Sequence, residues 1–206
     1  DISHPSKEAI MQMFEVTRAP VIASHSSARA LNDVSRNLDD EQLMALKENG
    51  GVVQTVAFRS YINSEKNNAN RQAVQALEAS IAEEMDFEIL GGRGGRGALQ
   101  GLSEDARSAY SANMEEVRSR AASRMEAEVT STTPPVGVAD FVDHIDYLVD
   151  LIGLEHVGIS SDFDGGGGVE GWNDASETFS VTLELVRRGY TEEEIGMLWS
   201  GNLLRV

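Results

Sequence analysis

The 206-residue chain contains no cysteine. Disulfides, thiolate zinc sites and cysteine nucleophiles are therefore excluded, and any bound metal has to be held by histidine, aspartate or glutamate. Long apolar runs are missing as well. No window approaches the ~18–20 uninterrupted apolar residues that a membrane-spanning helix requires, and the first residues do not read as a signal peptide. Positive charge is scarce, with 17 basic residues against 34 acidic ones and a formal net charge of −17. A surface of that sign repels phosphate arrays, which argues against nucleic acid or an anionic membrane as partner and favours a small ligand or a metal cation. Compartment stays open, because a chain of this size needs no disulfide in any location. Extracytoplasmic and cytoplasmic placement both fit.

The hydrophobic content of 41% suits a sizeable core, in one large domain or two small ones. "DISHPSKEAIMQMFEVTRAP" reads as a strand tail, a turn at His4 and a helix with Pro5 near its first position. A short strand follows Pro20 and runs to about Ser24. Asp39 with Gln42 makes a helix start and Gly50 a stop, while Thr191 with Glu194 makes a second capping box. "GVVQTVAF" (51–58) and "EHVGISSDF" (155–163) are buried strands. Residues 66–88 and 103–128 have helical composition, separated by "GGRGGRG" (91–97), which reads as a flexible loop. Its glycine spacing is a poor phosphate cradle, since no strand precedes it. "VADFVDHIDYLVDLIG" is an amphipathic helix ending on Gly153. Alternating strands and helices predict an α/β fold with a parallel sheet, either doubly wound or part of a barrel.

Such folds gather reactive side chains at the carboxyl ends of strands. His4, His25, Tyr61, Asp162 and Asp164 all fall there. Imidazoles on adjacent strand ends can share one divalent cation, because strands lie ~4.8 Å apart, and a nearby carboxylate can order or deprotonate a metal-bound water. Blander readings stand beside these. A histidine near a turn is often a cap or a surface group, Asp164 suits a simple turn, and Tyr61 suits packing. Arg36 is either a surface charge or a carboxylate clamp. His144, inside a helix, and His156, at a strand start, read as structural. The Glu-rich runs read as solvated faces.

Four motifs together, "DISH", "APVIASHSSAR" followed by "SRN", "VGISSDFDG" and the terminal "NLLRV", resemble the membrane dipeptidase (renal dipeptidase) family among the amidohydrolase-like barrels. The resemblance covers nearly the whole chain except residues 63–132. It implies a (β/α)8 TIM-type barrel in which two zinc ions and a metal-bridged water cleave dipeptides, including those with a D-residue at the carboxyl side. It makes residues 1–206 the C-terminal part of that barrel, strands 5 to 8 with their helices, interrupted by a helical insertion at 63–132. By the same resemblance His4 and His25 are ligands of the second zinc and Arg36 grips the dipeptide carboxylate. Asp162 shuttles a proton, and Tyr61 lines the substrate pocket.

The family's His-x-Asp pair, its bridging glutamate and a further histidine have no counterpart here. The expected partner is therefore a missing N-terminal half of the barrel. The chain alone is expected to be inactive, with unpaired sheet edges and an uncovered apolar interior. A homodimer is compatible with the resemblance. The rival readings are a related amidohydrolase acting on another small amide or lactam, and a catalytically inactive barrel fragment serving as a binding module.

Overall fold

In the computed structural model, which describes residues 1–90 and 95–206, three short parallel strands carry the fold. In chain order the elements are α1 (Lys7–Val16), β1 (Ile22–Ser26), α2 (Asp40–Asn49), β2 (Val52–Val56), the single turn α3 (Arg59–Ile62) and α4 (Ser64–Glu84). Then come α5 (Gly95–Gln100), α6 (Glu104–Met125), α7 (Val138–Ile152), β3 (Val157–Ser160), α8 (Phe179–Arg187), α9 (Glu192–Gly196) and α10 (Asn202–Arg205). The sheet order is β1-β2-β3, with Ile22 opposite Val52, and Gln54 opposite Gly158. Parallel neighbours need crossovers, and α2 and α7 lie on the β1–β2 and β2–β3 connections.

Local chemistry explains the helix boundaries. Ser6 caps α1 by accepting from the Ala9 amide. Asp39 and Gln42 form the reciprocal box that starts α2, and Gly50 ends it in the left-handed conformation at φ 77°. Thr191 and Glu194 do the same at the start of α9. Along α7, Phe141, Ile145, Leu148 and Ile152 recur at helical spacing and are fully buried. They pack with Ala23, Val53, Val157 and Ile159 from one face of the sheet. Each such side chain contributes roughly 1.5–3 kcal/mol by leaving water, so this layer dominates the core.

Several expectations need correction. The first segment is not a strand: the backbone bond that joins Asp1–Ser3 to β1 is the Ile2 N–H donating to the Ile22 carbonyl at 2.8 Å, and the other bonds between them run through the Asp1, Ser3 and Ser24 side chains. Three strands are thus present among the described residues where four were expected. β1 does not stop at Ser24 but continues through His25 to Ser26, past an irregularity in register after Ala23. Proline 5 lies before the cap of α1, not inside the helix. Of the "GGRGGRG" loop, positions 91–94 lie outside the described residues and Gly95 already begins α5.

The expected uncovered apolar interior is absent as well. All five residues of β2 are buried. The exposed large hydrophobic side chains, such as Val16, Phe179 and Leu204, belong to helices and a loop, and none is on a strand among the described residues. Side-chain alternation turns Ser24, Gln54, Gly158 and Ser160 to the face opposite the helices. The Gln54 amide lies so closely over Gly158 that a Cβ there would collide with it.

The chain divides into two compact units, one formed by Asp1–Asn67 with Val136–Val206 and the other by Asn68–Pro135. The second has its own small apolar core, in which Leu77, Ile81, Val117 and Val129 are buried. Arg124 on α6 reaches Glu84 at 2.9 Å and Glu128 at 2.7 Å. No helix among the described residues is long and apolar enough to cross a membrane.

Candidate active site

At the carboxyl end of β1 the two predicted imidazoles converge. The Nε2 atoms of His4 and His25 stand 2.9 Å apart, with the rings edge-on at a centroid distance of 4.8 Å. His25 is held by a relay behind it. Ser24 Oγ donates to Asp1 Oδ2 at 2.6 Å and lies 2.7 Å from His25 Nδ1. Because the hydroxyl has only one proton and gives it to the carboxylate, it accepts from His25 Nδ1–H. That leaves the His25 Nε2 lone pair facing His4, whose Nε2–H donates to it. The backbone is tethered too, since the His25 amide donates to Ser3 Oγ at 3.0 Å.

This geometry suits a cation. Two nitrogens each ~2.0–2.1 Å from one zinc stand roughly 3.3 Å apart at a tetrahedral angle, so the rings need to part only slightly. A hydrogen-bonded outer group on the far nitrogen is the usual support of a metal-binding histidine. The His25 pKa lies below the ordinary imidazole value. Burial is the main cause, the Asp162 carboxylate opposes it, and Arg36 and His4 push the same way as burial. A neutral ring is the form that binds metal. Among the described residues no group of three or more His, Asp or Glu side chains is placed to hold a metal. The chain thus offers two nitrogen donors and no complete cage.

Arg36 and Tyr61 meet beside this pair. Arg36 sits in a turn four residues before α2. Its Nε–H donates to Tyr61 Oη at 3.2 Å, its Nη1 donates to the Ser3 carbonyl, and its guanidinium carbon lies 5.5 Å from the Tyr61 ring centroid. Tyr61 is stacked on Phe58, with ring centroids 4.4 Å apart. Ser3 therefore touches both His25 and Arg36.

Asp162 follows β3 in a strained conformation, φ 52° and ψ 38°, which costs a non-glycine residue on the order of 1–3 kcal/mol. Its carbonyl accepts from the amides of Gly165 at 3.0 Å and Gly167 at 2.8 Å. A Cβ at Gly165 would run into the Asp162 carboxylate, so the glycine run wraps tightly around this side chain. Asp164 is exposed in that turn, in keeping with the turn reading.

The five predicted residues His4, His25, Arg36, Tyr61 and Asp162 thus share one end of the sheet. Spacing alone missed Asp1, Ser24, Asn32 and Asn37, which touch or support them. For Asp1, Ser24 and Asn37 the available signal was their position within "DISH", "ASHS" and "SRN"; Asn32 lies between the motifs and carried none. His144 and His156 are buried and hydrogen-bonded to backbone, at the Ile62 and Gly51 carbonyls.

All 206 residues match the family described as membrane dipeptidase, peptidase family M19. The chain belongs to that family. Among curated members, it is 31% identical to dipeptidase aclJ of Aspergillus oryzae over 207 residues, covering all of this chain and 33% of that protein. It is 29% identical to dipeptidase 3 of Rattus norvegicus, of which it covers 28%. Among solved structures, the probable dipeptidase PvdM from Pseudomonas aeruginosa superposes with a TM-score of 0.67 at 37% identity, over 100% of this chain and 48% of that one. A Rhodobacter sphaeroides metallo peptidase, liganded with a phosphinate mimic of the dipeptide L-Ala-D-Ala, shares the fold at a TM-score of 0.61 and 22% identity, with 98% and 40% covered. This M19 chain therefore spans about a third of those curated relatives and about half of the solved PvdM chain. Its α/β architecture with a parallel sheet is that of the corresponding part of the M19 fold.

Proposed function

We propose that the chain forms part of a zinc-dependent dipeptidase, contributing one side of a (β/α)8 barrel and roughly half of its active site. One observation carries the reading. In an M19 chain, two imidazole nitrogens converge at 2.9 Å, while Arg36 and Asp162 are both close enough to shift the His25 pKa. The remaining metal ligands, in this reading, come from sequence outside these residues.

His4 and His25 hold one zinc through Nε2. Bound zinc polarises a carbonyl and lowers the pKa of water. Arg36 receives the dipeptide's free carboxylate, for which a planar guanidinium supplies paired donors. Tyr61 keeps the guanidinium aimed. The Asp162 carboxylate takes a proton from the water whose oxygen adds to the scissile carbonyl carbon and delivers it to the leaving nitrogen as the C–N bond breaks, leaving two free amino acids. Selection of a terminal carboxylate confines cleavage to the peptide bond next to the C-terminus. Acceptance of a D-residue at the carboxyl side rests on the family resemblance.

The test is hydrolysis of L-Ala-D-Ala by the full-length protein, beside its C-terminal amide and a lactam. Expected are cleavage of the free acid at least about tenfold faster than the amide, since charge-assisted bonds contribute ~1.5–3 kcal/mol, loss of activity with a chelator, and recovery with zinc. Equal rates on acid and amide would refute the carboxylate clamp. Preference for the lactam would favour a related amidohydrolase, and no turnover with no bound zinc would favour a binding module.

A further inference from the structure

The turn α3 has only four residues, too few to stabilise itself, because a nucleus of that size fixes many dihedrals for one or two hydrogen bonds. Its last carbonyls are nevertheless all engaged, by side chains from elsewhere in the sequence. Asn32 Nδ2 donates to the Ser60 and Tyr61 carbonyls, each at 2.9 Å, and Asn32 Oδ1 accepts from the Ser64 amide at 3.2 Å and the Ser64 hydroxyl at 2.8 Å. Its amide therefore occupies the place of the Ser64-to-Ser60 backbone bond that a continuous helix would make. Asn37 Nδ2 donates to the Tyr61 carbonyl at 2.7 Å and the Asn32 carbonyl at 2.9 Å.

His144 closes the set from α7. Its Nε2–H donates to the Ile62 carbonyl at 2.9 Å, and its Nδ1 accepts from the Ala28 amide at 3.2 Å. Facing a carbonyl on one side and an N–H on the other, the buried ring is confined to one neutral tautomer. Arg36 lies between Asn32 and Asn37, Ala28 lies three residues after His25, and Tyr61 is inside the captured turn. The hydrogen bonds of Asn32, Asn37 and His144 all run to backbone groups or to the Ser64 hydroxyl. All three join the loop that carries Arg36 to the turn that carries Tyr61.

We infer that Asn32, Asn37 and His144 are positioning residues that set the spacing of Arg36 and Tyr61, and through it the affinity for the substrate carboxylate. The inference rests on the carboxylate-clamp reading of Arg36. Its logic is geometric. A long arginine side chain on a surface turn samples many rotamers, and holding it in one place requires that both the turn and its phenolic partner be fixed.

The experiment compares His144→Leu, His144→Gln and Asn32→Ala with Arg36→Gln in the zinc-loaded full-length protein. Steady-state hydrolysis of L-Ala-D-Ala is measured together with the affinity for a phosphinate dipeptide mimic. Glutamine presents an acceptor and a donor at nearly the ring's spacing and should restore what leucine removes. Expected for His144→Leu and Asn32→Ala is a KM raised about ten- to a hundredfold with kcat held within about threefold, a parallel loss of mimic affinity, and recovery in His144→Gln. A fall in kcat at unchanged KM, or no change in either, would mean a purely structural role and overturn the inference. Asn32 is only half-buried, so its variant gives the answer if His144→Leu does not fold. Arg36→Gln separates the two failures. If it too leaves KM unchanged, the clamp itself falls and the inference with it; if it raises KM while the other variants do not, only the positioning role falls.

Discussion

The two ends of the sheet use the same residue types in opposite ways. At the amino end, polar side chains bind backbone. Asn202 Nδ2 donates to the Leu154 and Val157 carbonyls at 2.7 and 2.8 Å, Arg205 donates to the Gly50 and Glu155 carbonyls, and His156 Nδ1 donates to the Gly51 carbonyl at 2.8 Å. At the carboxyl end, His4 and His25 face each other, Arg36 reaches Tyr61, and Asp162 sits in a strained turn. His156 spends its Nδ1 on backbone just before β2 and lies at the end of the sheet away from His4 and His25. A histidine whose outer nitrogen is held by Ser24 keeps its inner lone pair. In parallel α/β folds the first pattern belongs to stability and the second to chemistry.

The sharpest way to break this contrast is His25→Ala in the full-length protein. It should lower the bound metal by one ion per chain and cut hydrolysis by more than the ~10–100-fold that supporting residues cost; metal analysis beside the assay checks this, and an active, fully loaded variant defeats the site. Next in size is Ser24→Ala, which removes the relay to Asp1. Zinc affinity in competition with a chelator should fall ~10–100-fold while the fold is kept.

Asn202→Ala tests the other end. It takes a donor from the buried Val157 carbonyl and the half-buried Leu154 carbonyl, so urea unfolding should show a loss of about 1–3 kcal/mol, with KM and kcat unchanged. The smallest effect is one of pH. Burial holds the His144 pKa below its ordinary 6.5, against the pull of the Ile62 carbonyl and of Asp143 and Asp140. The unfolded chain then binds more protons than the folded one as pH falls below about 6.5, so stability declines in that direction and is constant above it. Unfolding curves at stepped pH should show this slope, and His144→Gln should reduce it to the part that His25 contributes.

Much of this was legible in the order of residues. The capping pairs at Asp39 and Thr191 and the apolar spacing along α7 are local signals, and each appears in the fold at the expected place. Polar residues near the carboxyl ends of strands were legible too, since the apolar runs that precede them are short and local. Less local features were not. His25 lies inside β1, and Asp1–Ser3 is no strand, because ladder length depends on a partner that sequence does not display. Asn32 and Asn37 looked like ordinary loop residues until α3 was placed against them.

By itself, then, the sequence determined where several helices begin and end and which residue types are available to a metal, because caps, periodicity and the absence of cysteine act over a few residues or over composition. Only the tertiary structure decided that His4 meets His25 and Arg36 meets Tyr61 at one end of the sheet, and that asparagines far from Tyr61 in sequence hold its turn. Those facts depend on strand register and on hydrogen bonds between segments distant along the chain, which no local preference encodes.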